Sequence, residues 1–255
     1  MTWEKASLDR EQVKEVASRY NIDLLSASIL VRRGVTECSE VLFFLEEDLQ
    51  YTHSPFLFEE MEDAVERILQ AAEEEEKVLV FGDRDVDGIT STAVMVETLR
   101  ELGLDPEWRV PMGDDSYGLS VSLVEEFASR DGTLIVAVDC GTTNIAEVTR
   151  ARELGVDTIV VDHHNPQEEL PPAVAIVNPK IGERSYPFEG LCACGVTSKV
   201  RSALAFAKSD LFREQVCLLN LRPGNDTVIV DAVKLENLNE VDRISEALVP
   251  ELGDL

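Results

Sequence analysis

The segment VLVFGDRDVDGIT, residues 78–90, ends an apolar run with Asp83, Asp85 and Asp87 on alternate positions. Carboxylates crowded in this way repel one another wherever water is scarce, so the pattern calls for positive charge among them. Two further apolar runs end in the same chemistry: LIVAV leads to Asp139, and TIVV leads to Asp162, His163 and His164. On an extended backbone alternate side chains share a side, so Asp83, Asp85 and Asp87 are expected to point together. A set rich in oxygen, with one or two imidazoles and no thiolate pair, suits Mn2+ or Mg2+ better than structural zinc. Two such cations form the usual apparatus for phosphoester hydrolysis, because they acidify water and stabilise charge on phosphoryl oxygens. Gly88, followed by Thr90 and Ser91 opening a helix, is expected to offer free backbone N–H groups to a phosphate.

These groups can meet only if the elements carrying them lie side by side. From residue 77 onward, short doubly apolar runs (KVLVF, TLIVAV, DTIVV) alternate with amphipathic stretches (STAVMVETLRELG, SVSLVEEFASRDG, NIAEVTRARELG). PEWRVP and VAIVN read as further strands. Such alternation predicts βαβ units and a mostly parallel α/β sheet flanked by helices, with ligands beyond the carboxyl ends of the strands. Residues 1–75 read as a helical region, with REQVKEVASRY, NIDLLSASILVRRG, ECSEVLFFLEED and FEEMEDAVERILQAAEEEE as its helices. The α/β core is expected over 76–209 and closes with the helix GVTSKVRSALAFAKSDLF. Residues 210–255 read as an appendage: two strands around a Pro-Gly-Asn-Asp turn, then a short helix at VDRISEAL.

Fifty acids against 23 bases leave a net charge of −27, the wrong sign for a stand-alone nucleic-acid binder. Metal cations would offset part of it locally. The acidic run Glu73–Glu76 reads as a solvated helix end. No apolar segment approaches the ~20 residues of a membrane helix, and MTWEKASLDR lacks the basic and apolar regions of a secretory signal. Five scattered cysteines without a CxxC pair suit reduced thiols in a cytoplasm. Cys192 and Cys194 read as structural residues at a helix start, and His53 as a loop residue. A calcium EF-hand loop is a poor fit to DRDVDG, since its twelfth position is Val94 and a strand precedes it.

In order along the chain, FGDRDVDGITS, VDCGTTN and VVDHHNP resemble the first three motifs of the DHH phosphoesterase superfamily. LLSASILVRRGVTECSEVLFFL, SPFLFEEMEDAVERI, SYGLS, ELPPAVAIVNPK and YPFEGLCACGVTSKV resemble its RecJ branch, the single-strand-specific 5′→3′ DNA exonucleases. The resemblance implies a DHH phosphoesterase domain with Mn2+ or Mg2+ in a two-metal site, within a two-lobed enzyme of DNA repair and recombination. Such an enzyme binds single-stranded DNA from its 5′ end and releases 5′-monophosphates. Carried over residue by residue, it makes Asp85, Asp87, Asp139 and His163 metal ligands, and Asp83 a ligand or a support to one. It gives His164 a contact with the scissile phosphate and Asp162 the task of orienting the histidines, with Ser91 and Thr92 as further phosphate contacts.

The sequence departs from that pattern in several places. Arg84 stands where an aromatic residue is usual, VPMGDDSYGLS lacks an arginine common after Pro-Asn, and Cys194 replaces a small residue. The fourth motif, an Asp at a strand end, has only Asp226 and Asp231 as substitutes, and the second, substrate-binding lobe is absent. The expectation is therefore the acidic catalytic lobe of a longer nuclease, or a parent with a domain inserted near residue 215. An oligonucleotide or cyclic-dinucleotide phosphodiesterase is the alternative within the superfamily. A non-catalytic scaffold binding DNA or replication proteins is the alternative of another class.

Overall fold

Asp9 and Asp23 each start a helix by accepting two backbone N–H bonds at the orphaned first turn, giving α1 (Arg10–Tyr20) and α2 (Leu24–Arg32). Asn21 and Gly34, both in the left-handed conformation, follow these helices. With α3 (Cys38–Leu45) they bury a small cluster of Val13, Val16, Ala17, Ala27, Leu30 and Val41. This is the core of one compact unit, Met1–His53; the other spans Ser54–Leu255. The computed structural model describes residues 8–45, 52–113, 117–182, 186–209, 212, 215–223, 228–236 and 239–248.

The second unit opens with a 3-10 turn (Pro55–Leu57) and α4 (Met61–Glu73). Met61, Ala64, Val65, Ile68 and Ala71 of α4 recur at helical spacing, and all are buried in the core of this unit. The alternating segments then become β1 (Val78–Gly82), α5 (Val86–Glu101), β2 (Glu107–Arg109), α6 (Val121–Ala128), β3 (Leu134–Val138), α7 (Ile145–Glu153), β4 (Asp157–Val161), β5 (Ala175–Val177) and α8 (Ala193–Ala207). The five strands form one sheet in the order β2-β1-β3-β4-β5, and every neighbouring pair is parallel.

Because β1, β3, β4 and β5 are buried on both faces, successive residues enter different cores. Val78 and Val80, with Leu134, Val136, Val138, Ile159 and Val161, pack among residues of α4, α5 and α8. Leu79, Phe81, Ile135 and Ala137 pack among residues of α6 and α7. The chain runs outward from β1 to β2 and then returns to β3 on the other side of β1. The order therefore reverses between β1 and β3, and a doubly wound sheet opens its binding crevice at such a reversal. One close approach keeps that crevice tight. A Cβ on Gly82 would lie 2.0 Å from the Thr92 hydroxyl and 2.9 Å from the Gly88 carbonyl. Gly82→Ala should thus cost about 3 kcal/mol by overpacking. Urea denaturation checks this, and a loss below ~0.5 kcal/mol would contradict so close a packing.

The last strands, β6 (Gln215–Pro223), β7 (Val228–Glu236) and β8 (Asn239–Leu248), form a separate antiparallel sheet in that order. The first two are the expected hairpin, but VDRISEAL is strand, not helix. The spacing of Val241, Ile244 and Leu248 suits a helix, yet the segment pairs along β7 from Glu236↔Asn239 to Val228↔Leu248. A neighbouring strand with an open hydrogen-bonding edge overrides so weak a helical pattern.

Candidate metal centre

The crevice end of the sheet collects the charged residues. β1 delivers Asp83, β3 delivers Asp139 and β4 delivers Asp162, His163 and His164. Helix α5 begins earlier than its apolar pattern suggests, so Asp83, Asp85 and Asp87 do not alternate along an extended strand. Asp85 is the N-cap of α5 and accepts the Gly88 N–H at 2.9 Å, while Asp87 lies in its first turn. An Asp three residues before Gly satisfies an orphan donor of the helix start, and this outweighs continued extension.

Of the three aspartates, Asp87 consequently parts from the other two. Carboxylate oxygens of Asp83, Asp85 and Asp139 lie within 4.8 Å of one another, and so do ligand atoms of Asp139, His163 and His164. Asp139 belongs to both groups and is 2 % exposed. It leaves β3 in the left-handed conformation, with φ of 58°, a region that Asp tolerates better than most residues. Asp87 instead turns to the start of α8, accepting the Ala193 and Cys194 N–H groups at 2.8 Å each. Two donors at the positive end of a helix hold this carboxylate and offset its charge. One of its oxygens remains 3.7 Å from His163 Nε2.

The histidines are held by different partners. His163 Nδ1 lies 3.1 Å from the Leu191 carbonyl and so carries the proton, leaving Nε2 as the lone-pair nitrogen, 3.4 Å from Asp139 Oδ1. This is the arrangement in which a histidine ligates a cation. Asp162, 1 % exposed, accepts both backbone N–H groups of the pair, the ring Nδ1–H of His164 at 2.7 Å and the Thr142 N–H. Burial works against that negative charge, but bonds from His164, Thr142 and His163 overcome it and hold the Asp162 pKa at about 2. The His164 pKa rises, chiefly through its hydrogen bond to Asp162.

Asp139 has the opposite balance: burial, then the charges of Asp87 and Asp85, push its pKa up to about 7. One carboxylate oxygen of Asp139 and one of Asp83 are buried without any hydrogen-bond partner. A buried anion without a donor is costly, and these two, grouped with Asp85 and with the prepared Nε2 of His163 next to Asp139, fit a divalent cation. The donor set suits Mn2+ or Mg2+ by its excess of oxygen.

Two sequence candidates do not face the crevice. Ser91 and Thr92 are buried, and their hydroxyls donate to the Asp87 and Gly88 carbonyls one turn back along α5. They are consumed inside the helix and cannot reach a phosphate. Of the fourth-motif substitutes, Asp226 lies outside the described residues. Asp231 sits within β7, in register with Asn220 and Ser245, in the antiparallel sheet. Sequence reading also missed Tyr117, whose hydroxyl donates to the Asp139 carbonyl at 3.2 Å and stands 3.4 Å from His164 Nδ1. It missed Asn178 at the end of β5 as well. An aromatic before Gly118 and an Asn closing an apolar strand were the available signals.

Residues 77–219 match the model of the DHH family, N-terminal domain, and the chain belongs to that family. Among curated relatives it is similar to the single-stranded-DNA-specific exonuclease RecJ of Bacillus subtilis, 37% identical over 249 residues. That match covers 96% of this chain and 32% of the relative, so the chain spans about a third of the length of the relative. Among solved structures it is similar to RecJ in complex with Mn2+ from Thermus thermophilus, with TM-score 0.60 and 28% identity over 78% of this chain and 28% of that one. An exonuclease RecJ bound to manganese matches with TM-score 0.55 and 31% identity, over 60% of this chain and 39% of that one.

Proposed function

We propose that this chain is the catalytic lobe of a metal-dependent exonuclease that degrades single-stranded DNA from the 5′ end in DNA repair and recombination. The observation that carries the reading is the pair of unpartnered buried carboxylate oxygens, on Asp83 and Asp139, with the prepared Nε2 of His163 next to Asp139. Asp83, Asp85, Asp139 and His163, with the remaining lone pairs of Asp87, would hold Mn2+ or Mg2+. When bound, two such cations acidify water and stabilise charge on the phosphoryl oxygens.

The chain's own residues supply the rest. The α8 start fixes Asp87, the Leu191 carbonyl fixes the ring of His163, and Asp162 aims His164 from the rear. His164, with a raised pKa and a half-exposed ring, is suited to donate a hydrogen bond to a phosphate oxygen. A second lobe is expected to clamp the strand, in keeping with relatives about three times as long. Among the described residues no helix is long and apolar enough to cross a membrane. Cys38, Cys140, Cys192 and Cys194 are free thiols, and a cytoplasmic location agrees with both facts.

The test is a nuclease assay with Mn2+ on end-labelled single strands of graded length, using the polypeptide that carries this chain. Long single strands should be shortened progressively from the 5′ end, with duplex DNA spared. His163→Ala should weaken Mn2+ binding at least roughly tenfold and abolish cleavage. Cleavage confined to dinucleotides would move the assignment to a short-oligonucleotide phosphodiesterase. Absence of Mn2+ binding in calorimetry would refute a catalytic role.

A further inference from the structure

We infer that Asn178 is the positioning residue for His164, acting through the backbone of the strand-end loop and not through the ring. The inference rests on reading this crevice as the reaction centre. Asn178 is 2 % exposed and follows β5 directly. Its side-chain amide donates to the His164 carbonyl at 2.9 Å and to the Thr142 hydroxyl at 3.2 Å, and its oxygen accepts the Lys180 N–H at 3.0 Å.

This arrangement admits one orientation of the amide. The His164 carbonyl can only accept and the Lys180 N–H can only donate, so exchanging nitrogen and oxygen would break both bonds. Thr142, fully buried, donates its own backbone N–H to Asp162. Asn178 therefore joins the loops that follow β3, β4 and β5, and closes a ring running through Thr142, Asp162 and His164. Asp162 aims the His164 ring from one side, while Asn178 fixes the backbone from which that ring is hung. His163 is held separately, by the Leu191 carbonyl. Asp162 accepts the backbone N–H of both histidines, but their rings have separate acceptors. Of the two, Asn178 bonds only His164, at its carbonyl, so losing that bond should disturb the His164 ring first.

The chain contains only three histidines, so the imidazole N–H region of the spectrum can be assigned outright. The experiment compares wild type, Asn178→Asp and Asn178→Ala, uniformly labelled at histidine with nitrogen-15, without added metal. Asp preserves the shape and the acceptor toward Lys180 but sets an oxygen against the His164 carbonyl. Ala removes the donors without adding charge. In wild type, the Nδ1–H signals of His163 and His164 should both be downfield and protected from exchange. In both variants the His164 signal should vanish or exchange at least tenfold faster, while that of His163 persists and the circular dichroism is unchanged.

An unaltered His164 signal in both variants would overturn the inference. So would parallel loss of both rings in both variants, because Asn178 would then serve the fold in general. These readings need no nuclease activity, so they separate this inference from the functional one. In an active polypeptide, Asn178→Asp should lower kcat at least tenfold with the Mn2+ requirement unchanged.

Discussion

Asn in place of Asp139 should make the metal-free protein more stable above neutral pH while lowering Mn2+ affinity at least roughly a hundredfold and abolishing nuclease activity. The opposing effects share one cause. Asp139 is buried against Asp85 and Asp87, and its pKa of about 7 lies above the ordinary 3.8. Between those values the folded state holds a proton that the unfolded state has released. Stability of the metal-free protein therefore falls as pH rises from about 4 to about 7, and changes little beyond.

The loss amounts to a few kcal/mol, at about 1.4 kcal/mol per tenfold change in proton affinity. Asn accepts the left-handed backbone of this position and carries no charge, so the variant should lack that decline. Thermal melts in a chelator at pH 5 and pH 8 provide the check. The two proteins should melt within a degree or two of each other at pH 5. At pH 8 the variant should melt several degrees higher, at about 2–4 °C per kcal/mol. A variant less stable than wild type at pH 8, or one binding Mn2+ as wild type does, would refute this account of the site. Asp162 supplies the acid limb with the opposite sign: its pKa of about 2 means that stability is lost as pH falls from about 4 through about 2.

The second large effect is expected at Arg67, at the other end of the sheet. Its guanidinium grips both Glu76 oxygens, at 3.0 and 2.8 Å, and Asp157 at 2.6 Å. It thereby joins α4 to the residues entering β1 and β4. Burial disfavours the Glu76 charge, yet the bonds from Arg67 and Thr133 outweigh it and hold the pKa of Glu76 low. Arg67→Met should destabilise the protein by about 3–5 kcal/mol, because Glu76 is left buried without its partner. The melting temperature should fall by roughly 10 °C. Adding Glu76→Gln should recover much of the loss, which a double-mutant cycle measures. Mn2+ affinity should be unchanged in Arg67→Met, since the crevice lies at the opposite strand ends. A loss below ~1 kcal/mol would show that the clasp is dispensable.

The same clasp marks a boundary of what the sequence conveys. Glu73–Glu76 reads as one solvated run, and Glu73, Glu74 and Glu75 are exposed. Glu76 is not, and what distinguishes it is Arg67 nine positions back, itself paired with Asp157, and Thr133 far along the chain. The sheet was legible because a strand buried on both faces must be apolar throughout, and because strands and helices alternate in chain order. The crevice was legible because charged residues end three of those strands. The orientation of each carboxylate was not legible, since it depends on contacts remote in sequence. Nothing local to Asp87 announces that it will turn to α8, and nothing local to Ser91 reveals that its hydroxyl is spent on its own helix.

That bond from Asp87 to Ala193 and Cys194 spans more than a hundred positions, and it bears on the order in which a ribosome releases the chain. Synthesis proceeds from the N-terminus at roughly 5–20 residues per second. β1, α5 and β3 can pair while α8 is still unmade, so for some seconds the nascent crevice holds Asp87 without the donors that tether it. Loop-closure entropy also makes contacts of such separation slow to form. The acidic cluster thus matures only once the start of α8 has been made. A newly made chain should become competent for Mn2+ only after the segment through Cys194 has cleared the exit tunnel.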